Sequence, residues 1–171
     1  MAQQHTSSWF SADNDRLVAQ RTRATRTPKG WVLVFGAGMM LAVTAFHWLL
    51  GGRFFEETVI AVTGFKWDEL AAVGPTTARI SSLSVRFAGA AGLCAGVLAM
   101  AVAMTSFRRG DRWAWYAAWA LPLFAGLELI VLAAYGAVSG SSLLWDGTLA
   151  ALGLLGLAVS YPAFFTSARA S

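Results

Sequence analysis

The sequence predicts an all-α membrane protein, a four-transmembrane-helix antiparallel bundle with a short helical outer cap. Three observations predict it. Apolar residues make up 57% of the 171 residues and fall into long unbroken runs. The runs reach the roughly 18 to 20 residues that a helix needs to cross a hydrocarbon core of about 30 Å. Charged residues, only 13% of the chain, gather in short blocks beside the runs, which is how membrane topology is encoded.

Residues 1–30 read as a polar, basic tail in which Arg16, Arg21, Arg23, Arg26 and Lys29 lead up to the first span. Either a short amphipathic helix over Asp13–Arg23, capped by Asp13 or Asn14, or disorder suits this composition. The apolar run that follows is too long for the h-region of a secretory leader. The membrane domain then covers residues 31–165. Its first span, 31–50, opens on the interfacial Trp31 and closes at Gly51-Gly52.

An outer loop, 51–82, comes next, and Phe54–Thr63 and Trp67–Val73 each suit a short helix lying in the interface. Gly74-Pro75 ends the second of these and starts a new helix, because Pro is well tolerated in a first turn. The helical pattern from Pro75 continues to Phe107, roughly 33 residues or about 50 Å. That exceeds the hydrocarbon core, so 83–107 reads as the second span and Pro75–Ser82 as a protruding start.

Arg108, Arg109, Gly110, Asp111 and Arg112 make a tight turn. The third span, 113–138, begins with the aromatic belt Trp113, Trp115, Tyr116 and Trp119. Pro122 should kink it, since a prolyl nitrogen cannot donate to the Ala118 carbonyl. Ser139–Trp145 reads as a polar turn, and Asp146 as the cap of the last span, 147–165. Tyr161 and Pro162 mark the interfacial end of that span, and residues 166–171 form a second tail.

Lys and Arg near span ends are retained in the cytoplasm. The first tail, the Arg108–Arg112 turn and Arg169 carry more of them than the outer loop, which has Arg53, Lys66 and Arg79. Both termini are therefore expected in the cytoplasm.

Ionisable residues at membrane depth are the functional candidates, because an isolated charge there costs about 3 kcal/mol or more. They are His47, Arg86 and Glu128. Counted from the middle of each span, all three fall in the outer half. Glu128 has Gly126, Leu127, Leu129 and Ile130 around it and cannot snorkel to an interface. It must be protonated, paired or facing water. Arg86 is the expected partner, Tyr135 lies two helical turns beyond Glu128, and Arg79 would extend the polar seam toward the loop.

Two readings follow. One is an outward-facing polar pocket of Arg79, Arg86, Glu128, His47 and Tyr135 that binds a small or lipidic ligand or passes a proton. The other is a buried Arg86–Glu128 pair that only fixes helix register. His47, beside Trp48, is more commonly an interfacial hydrogen-bonding group than a ligand.

Several chemistries find no support in the sequence. No catalytic residues, cofactor motif or metal site is expected. A metal needs several convergent ligands, and the second histidine, His5, lies in the polar tail. The net charge of +4 comes from topology-setting blocks and predicts no nucleic-acid binding. The lone Cys94 excludes an intrachain disulfide. Glu56, Glu57, Asp68 and Glu69 have Arg53, Lys66 and Arg79 near them, which favours salt-bridged loop packing over a cation site.

Small residues predict helix packing. Ala88, Gly92 and Gly96 form a GxxxG-type ridge in the second span, and Gly153 and Gly156 suggest a complementary face in the fourth. Such ridges let helix backbones approach closely in lipid. They serve either packing within the chain or a homo-oligomer contact.

Two stretches carry a resemblance. One is Thr63-Gly64-Phe65-Lys66-Trp67-Asp68-Glu69-Leu70 followed by Pro75. The other is Arg86 followed by Phe107-Arg108-Arg109-Gly110-Asp111-Arg112-Trp113-Ala114-Trp115-Tyr116. Together they make residues 30 to 165 resemble a group of bacterial four-helix membrane proteins that are loosely DoxX-like in size and layout. The resemblance implies a bacterial inner-membrane location and no particular activity. Lys66 departs from the small capping residue that would suit the helix start.

The expected function is non-enzymatic. The leading expectation is a scaffold or accessory subunit with a membrane-protein partner or a second copy in the lipid bilayer. The alternative is a ligand or proton carrier acting through Arg86 and Glu128.

Overall fold

The computed structural model describes residues 29–50, 56, 59–60 and 63–165. The expected helix over Asp13–Arg23, residues 1–28 and 166–171 of the tails, and most of Phe54–Thr63 lie outside the described residues. Among the described residues, the regular elements are all helical. They are α1 (Trp31–Leu50), α2 (Trp67–Val73), α3 (Pro75–Val102, continuing through a π-helical turn, Ala103–Phe107), α4 (Arg112–Ala118), α5 (Ala120–Ala134) and α6 (Gly140–Phe165). Four segments are long and apolar enough to cross a membrane: α1, α3 with its π turn, α4 together with α5, and α6. The chain is an all-α, multi-pass membrane protein.

Local chemistry sets the boundaries. At the start of α2 the side chain of Lys66 caps nothing, but Glu69 reaches back and accepts the Lys66 backbone N–H at 3.0 Å. That is half of a capping box, and it replaces the small cap expected there. The Gly74 N–H closes α2 on the Leu70 carbonyl at 2.9 Å, and Pro75 opens α3.

The third span is interrupted at Trp119, between α4 and α5. This is the expected consequence of Pro122. Its end differs from expectation: α5 stops at Ala134, not near 138. Gly136, with φ of +67°, sits in the left-handed region that favours glycine. Its N–H donates to Ala133 and that of Ala137 donates to Leu132, at 3.1 and 2.8 Å. These two bonds are a Schellman stop.

The fourth span begins earlier than its apolar run. Ser139 and Ser142 cap it reciprocally: Ser142 N–H donates to Ser139 Oγ at 3.2 Å, and Ser139 N–H donates to Ser142 Oγ at 2.9 Å. Helix α6 therefore starts at Gly140, and residues 140–145 are helical where a turn was expected. Asp146 is consequently not a cap. It lies inside the helix and is 7% exposed.

Helix α1 is the central member. It packs against α3 on one side and α6 on the other, and α6 packs in turn on α5. The α1–α3 contact is glycine-mediated. A Cβ on Gly96 would lie 2.6 Å from the Ala42 nitrogen, and one on Gly89 would lie 2.7 Å from the Leu49 nitrogen. The ridge is thus Gly89, Gly92 and Gly96, all buried, while Ala88 is exposed one position off it.

The complement of this ridge is Gly38, Ala42 and Ala45 of α1, not the fourth span. Gly156 packs against Val34 and Gly30 at the start of α1, and Gly153 packs against Pro122. Of the expected small-residue positions, Gly92, Gly96, Gly153 and Gly156 mediate packing within the chain, with these different partners, and Ala88 does not.

The end of the bundle carrying the Arg108–Arg112 turn is closed. Phe107 is fully buried against Phe164, with ring centroids 5.0 Å apart. The Trp115 indole N–H donates to the Leu157 carbonyl at 3.1 Å, and its ring meets Trp119, Tyr161 and Phe165 edge-on. Arg108 sits 5.5 Å from the Trp31 ring centroid and Arg112 sits 5.9 Å from that of Phe165, both within cation–π range. The π turn touches α1 and α4 here. At the opposite end, which carries α2, α3 and α5 are barely in contact. The bundle is therefore closed at the turn end and splayed at the loop end.

Candidate intramembrane binding site

The splay leaves a cavity of about 360 Å³ at the loop end, open to one side. This lies within the size range of small-molecule sites. Its back wall is α1, through Leu41, Ala45 and Trp48. Its two sides are α3 (Val85, Ala88, Gly92) and α5 (Phe124, Glu128, Leu132), and α6 closes it with Trp145, Asp146 and Leu149. Most of the lining is apolar. Small residues on α3 keep that wall thin, so the ridge that brings α3 onto α1 also shapes one side of the cavity.

Two carboxylates face this space. Helical rise places them at the same level. Gly153 abuts Pro122; Glu128 lies about 9 Å above that contact along α5, and Asp146 about 10 Å above it along α6. Both residues line the same cavity. Among the described residues, no Lys, Arg or His lines the cavity. Neither carboxylate accepts a hydrogen bond or joins an ion pair among the described residues.

The hydroxyls around them are already engaged. Thr44 donates to the Met40 carbonyl at 2.9 Å and Ser84 to the Ile80 carbonyl at 3.0 Å. Ser139, Ser141 and Ser142 bond with one another and with the start of α6.

The residues expected from sequence fare differently. Glu128 is in the cavity wall. Arg86 is exposed, does not line the cavity and makes no ion pair with Glu128. The reason is depth. Gly89 packs against Leu49, so Arg86, about one turn further along α3, is level with the end of α1. A long basic side chain at such a level can reach water or headgroups and needs no buried partner.

Arg79 is exposed, nearly three turns beyond Gly89 toward the loop, and is also outside the cavity. Tyr135 is 72% exposed at the helix stop and does not line the cavity. His47 is exposed, with Nδ1 in a 2.8 Å hydrogen bond to the Val43 carbonyl, and does not line the cavity although its neighbour Trp48 does. The structure thus brings together Glu128 and Asp146, and leaves Arg79, Arg86, His47 and Tyr135 outside.

Asp146 is the residue that sequence reasoning misplaced. An acid just ahead of Gly147 and an apolar run looks like a helix cap. The signal that identifies it otherwise is Ser139-Gly140-Ser141-Ser142, a stronger start signal two turns earlier.

No group of three or more His, Cys, Asp or Glu that could hold a metal occurs among the described residues. Fold and site define a multi-pass membrane protein with an acidic, mostly apolar cavity between its helices. Comparison with protein-family models, with curated proteins and with solved structures gives no match.

Proposed function

We propose that this protein binds an amphiphilic molecule of the membrane in the cavity between α3 and α5. The observation that carries the reading is Asp146: a side chain only 7% exposed, without a partner among the described residues, facing a cavity. An unpaired buried carboxylate in a membrane span is expensive and contributes nothing to packing. Its presence is understandable when an occupant of the cavity supplies the missing interactions. The apolar walls provide for that occupant's chain, and the gap between α3 and α5 lets the chain come from the bilayer.

An accessory-subunit role rested on the missing catalytic motifs, the short chain and the glycine ridges. Those glycines pack within the chain, which moves the weight to ligand binding. No catalytic step is needed.

A nitroxide-labelled dodecanol in phosphatidylcholine nanodiscs tests the reading. The protein is expected to immobilise a saturable fraction of this probe, read from its electron paramagnetic resonance spectrum. A spectrum identical to that of protein-free discs would exclude a cavity that takes alkyl chains.

The location proposed is a bacterial inner membrane, with both termini in the cytoplasm and the cavity at the outer face. The placement of basic residues supports this orientation. In a Cys94→Ser background, Gln20→Cys and Ala170→Cys should resist a membrane-impermeant maleimide in intact cells, while Phe65→Cys should react. Labelling at 20 or 170 would reverse the orientation.

A further inference from the structure

We infer that the ligand carries a positively charged, ammonium-type head, held between Glu128 and Asp146. The inference rests on the ligand-binding reading above and names the chemical class that the site selects.

The charge balance of the site points there. Among the described residues, both ionisable groups in the wall are acids, they sit at one level on facing helices, and no basic side chain lines the cavity. From α1 and α3 the residues turned toward it are apolar or hydroxyl-bearing; His47 and Arg86 are outside. An anionic head would meet repulsion from two carboxylates in a low-dielectric space. A neutral head would offer no counter-charge, without which the two acids stay in this space only by taking up protons. A cation provides the counter-charge.

The surroundings favour an organic cation over a metal ion. Hard divalent cations take roughly six to eight oxygen ligands, and no group of three or more His, Cys, Asp or Glu that could hold a metal ion occurs among the described residues. Trp48, Phe124 and Trp145 line the same space. Aromatic faces beside carboxylates are well suited to alkylammonium groups, which combine charge with an apolar surface. Asp146, a residue 7% exposed that lines the cavity with no hydrogen bond or ion pair among the described residues, is independent of Glu128 in pointing to such a ligand.

The test uses two nitroxide-labelled probes of identical chain, dodecanol and dodecyltrimethylammonium, with the full-length protein in phosphatidylcholine nanodiscs. Each affinity is corrected for partition into empty discs. The ammonium probe is expected to bind at least about tenfold more tightly, the scale of one partly desolvated cation–π contact. In Glu128→Gln/Asp146→Asn the ammonium affinity should fall to that of dodecanol, a ratio of about one, and thermal unfolding in the same nanodiscs shows whether the variant is folded. The single variants should fall between.

A ratio of one or less in the native chain would overturn the inference and leave the binding reading standing. A ratio unchanged in the double variant would overturn it as well, because the preference would then arise elsewhere. Failure of both probes to bind would remove both readings.

Discussion

Gly96→Val should separate α1 from α3 and unfold the protein at a markedly lower temperature. The added Cβ would lie 2.6 Å from the Ala42 nitrogen, 2.7 Å from the Gly38 carbonyl oxygen and 2.8 Å from the Ala42 Cβ. Two of these are backbone atoms, so no rotamer change relieves the clash. Overpacking of this kind typically costs about 1–3 kcal/mol, and a β-branched side chain against backbone belongs at the upper end or beyond. In lipid no hydrophobic effect offsets the lost contact, because the association of these helices depends on close approach itself.

Gly36 and Gly126 are the internal comparison. A Cβ on either meets nothing within 4 Å. Gly36→Ala and Gly126→Ala should therefore be neutral, or stabilising by the roughly 0.5–1 kcal/mol that separates Ala from Gly in a helix. Thermal unfolding of the set in one type of nanodisc checks the contrast. Equal destabilisation by all of the substitutions would mean that α1 and α3 do not pack as described.

Ala88→Trp should abolish probe binding and leave the fold intact. Ala88 is exposed on α3, next to the packed Gly89, and lines the cavity. An indole there occupies the gap between α3 and α5 without touching the α1–α3 contact. The expected loss is at least about tenfold in dodecanol affinity, since one bulky group removes much of the apolar surface available to the chain. Val97→Trp is the control: Val97 is 50% exposed on the same helix and does not line the cavity. It should bind the probe as the native chain does. Retained binding in Ala88→Trp would place the alkyl chain on the outer surface of the bundle.

The spans were readable because the bilayer imposes them. A run long enough to cross and short of charge has few other uses, and α1 coincides with its expected bounds. The interruption near Pro122 was readable because it is a local backbone rule. The ends of α5 and α6 were less so. They depend on Gly136 and on the Ser139–Ser142 pair, which compete with the stronger impression left by Tyr135 and Asp146.

The cavity could not be read at all. It exists because α3 and α5 splay, and the angle between two helices depends on contacts distributed over the whole chain. Arg86 could have been placed better. Counting from the Phe107 end, about 20 residues of helix fill the hydrocarbon, which puts Arg86 at the edge. Counting from the middle of the span drew it inward and made it seem the partner of Glu128.

The central claim is that Glu128 and Asp146 are kept for a ligand and not for stability. The unfolding temperature of Glu128→Gln/Asp146→Asn, against the native chain in ligand-free nanodiscs, tests it most directly. Carboxylates that hold the helices together would be missed when removed, as a broken buried pair typically costs about 3–5 kcal/mol. Carboxylates without partners burden the apo fold, and replacing them with neutral amides relieves it. The account predicts an unfolding temperature equal to or above that of the native chain. A clearly lower one would contradict it and make the two acids part of the packing.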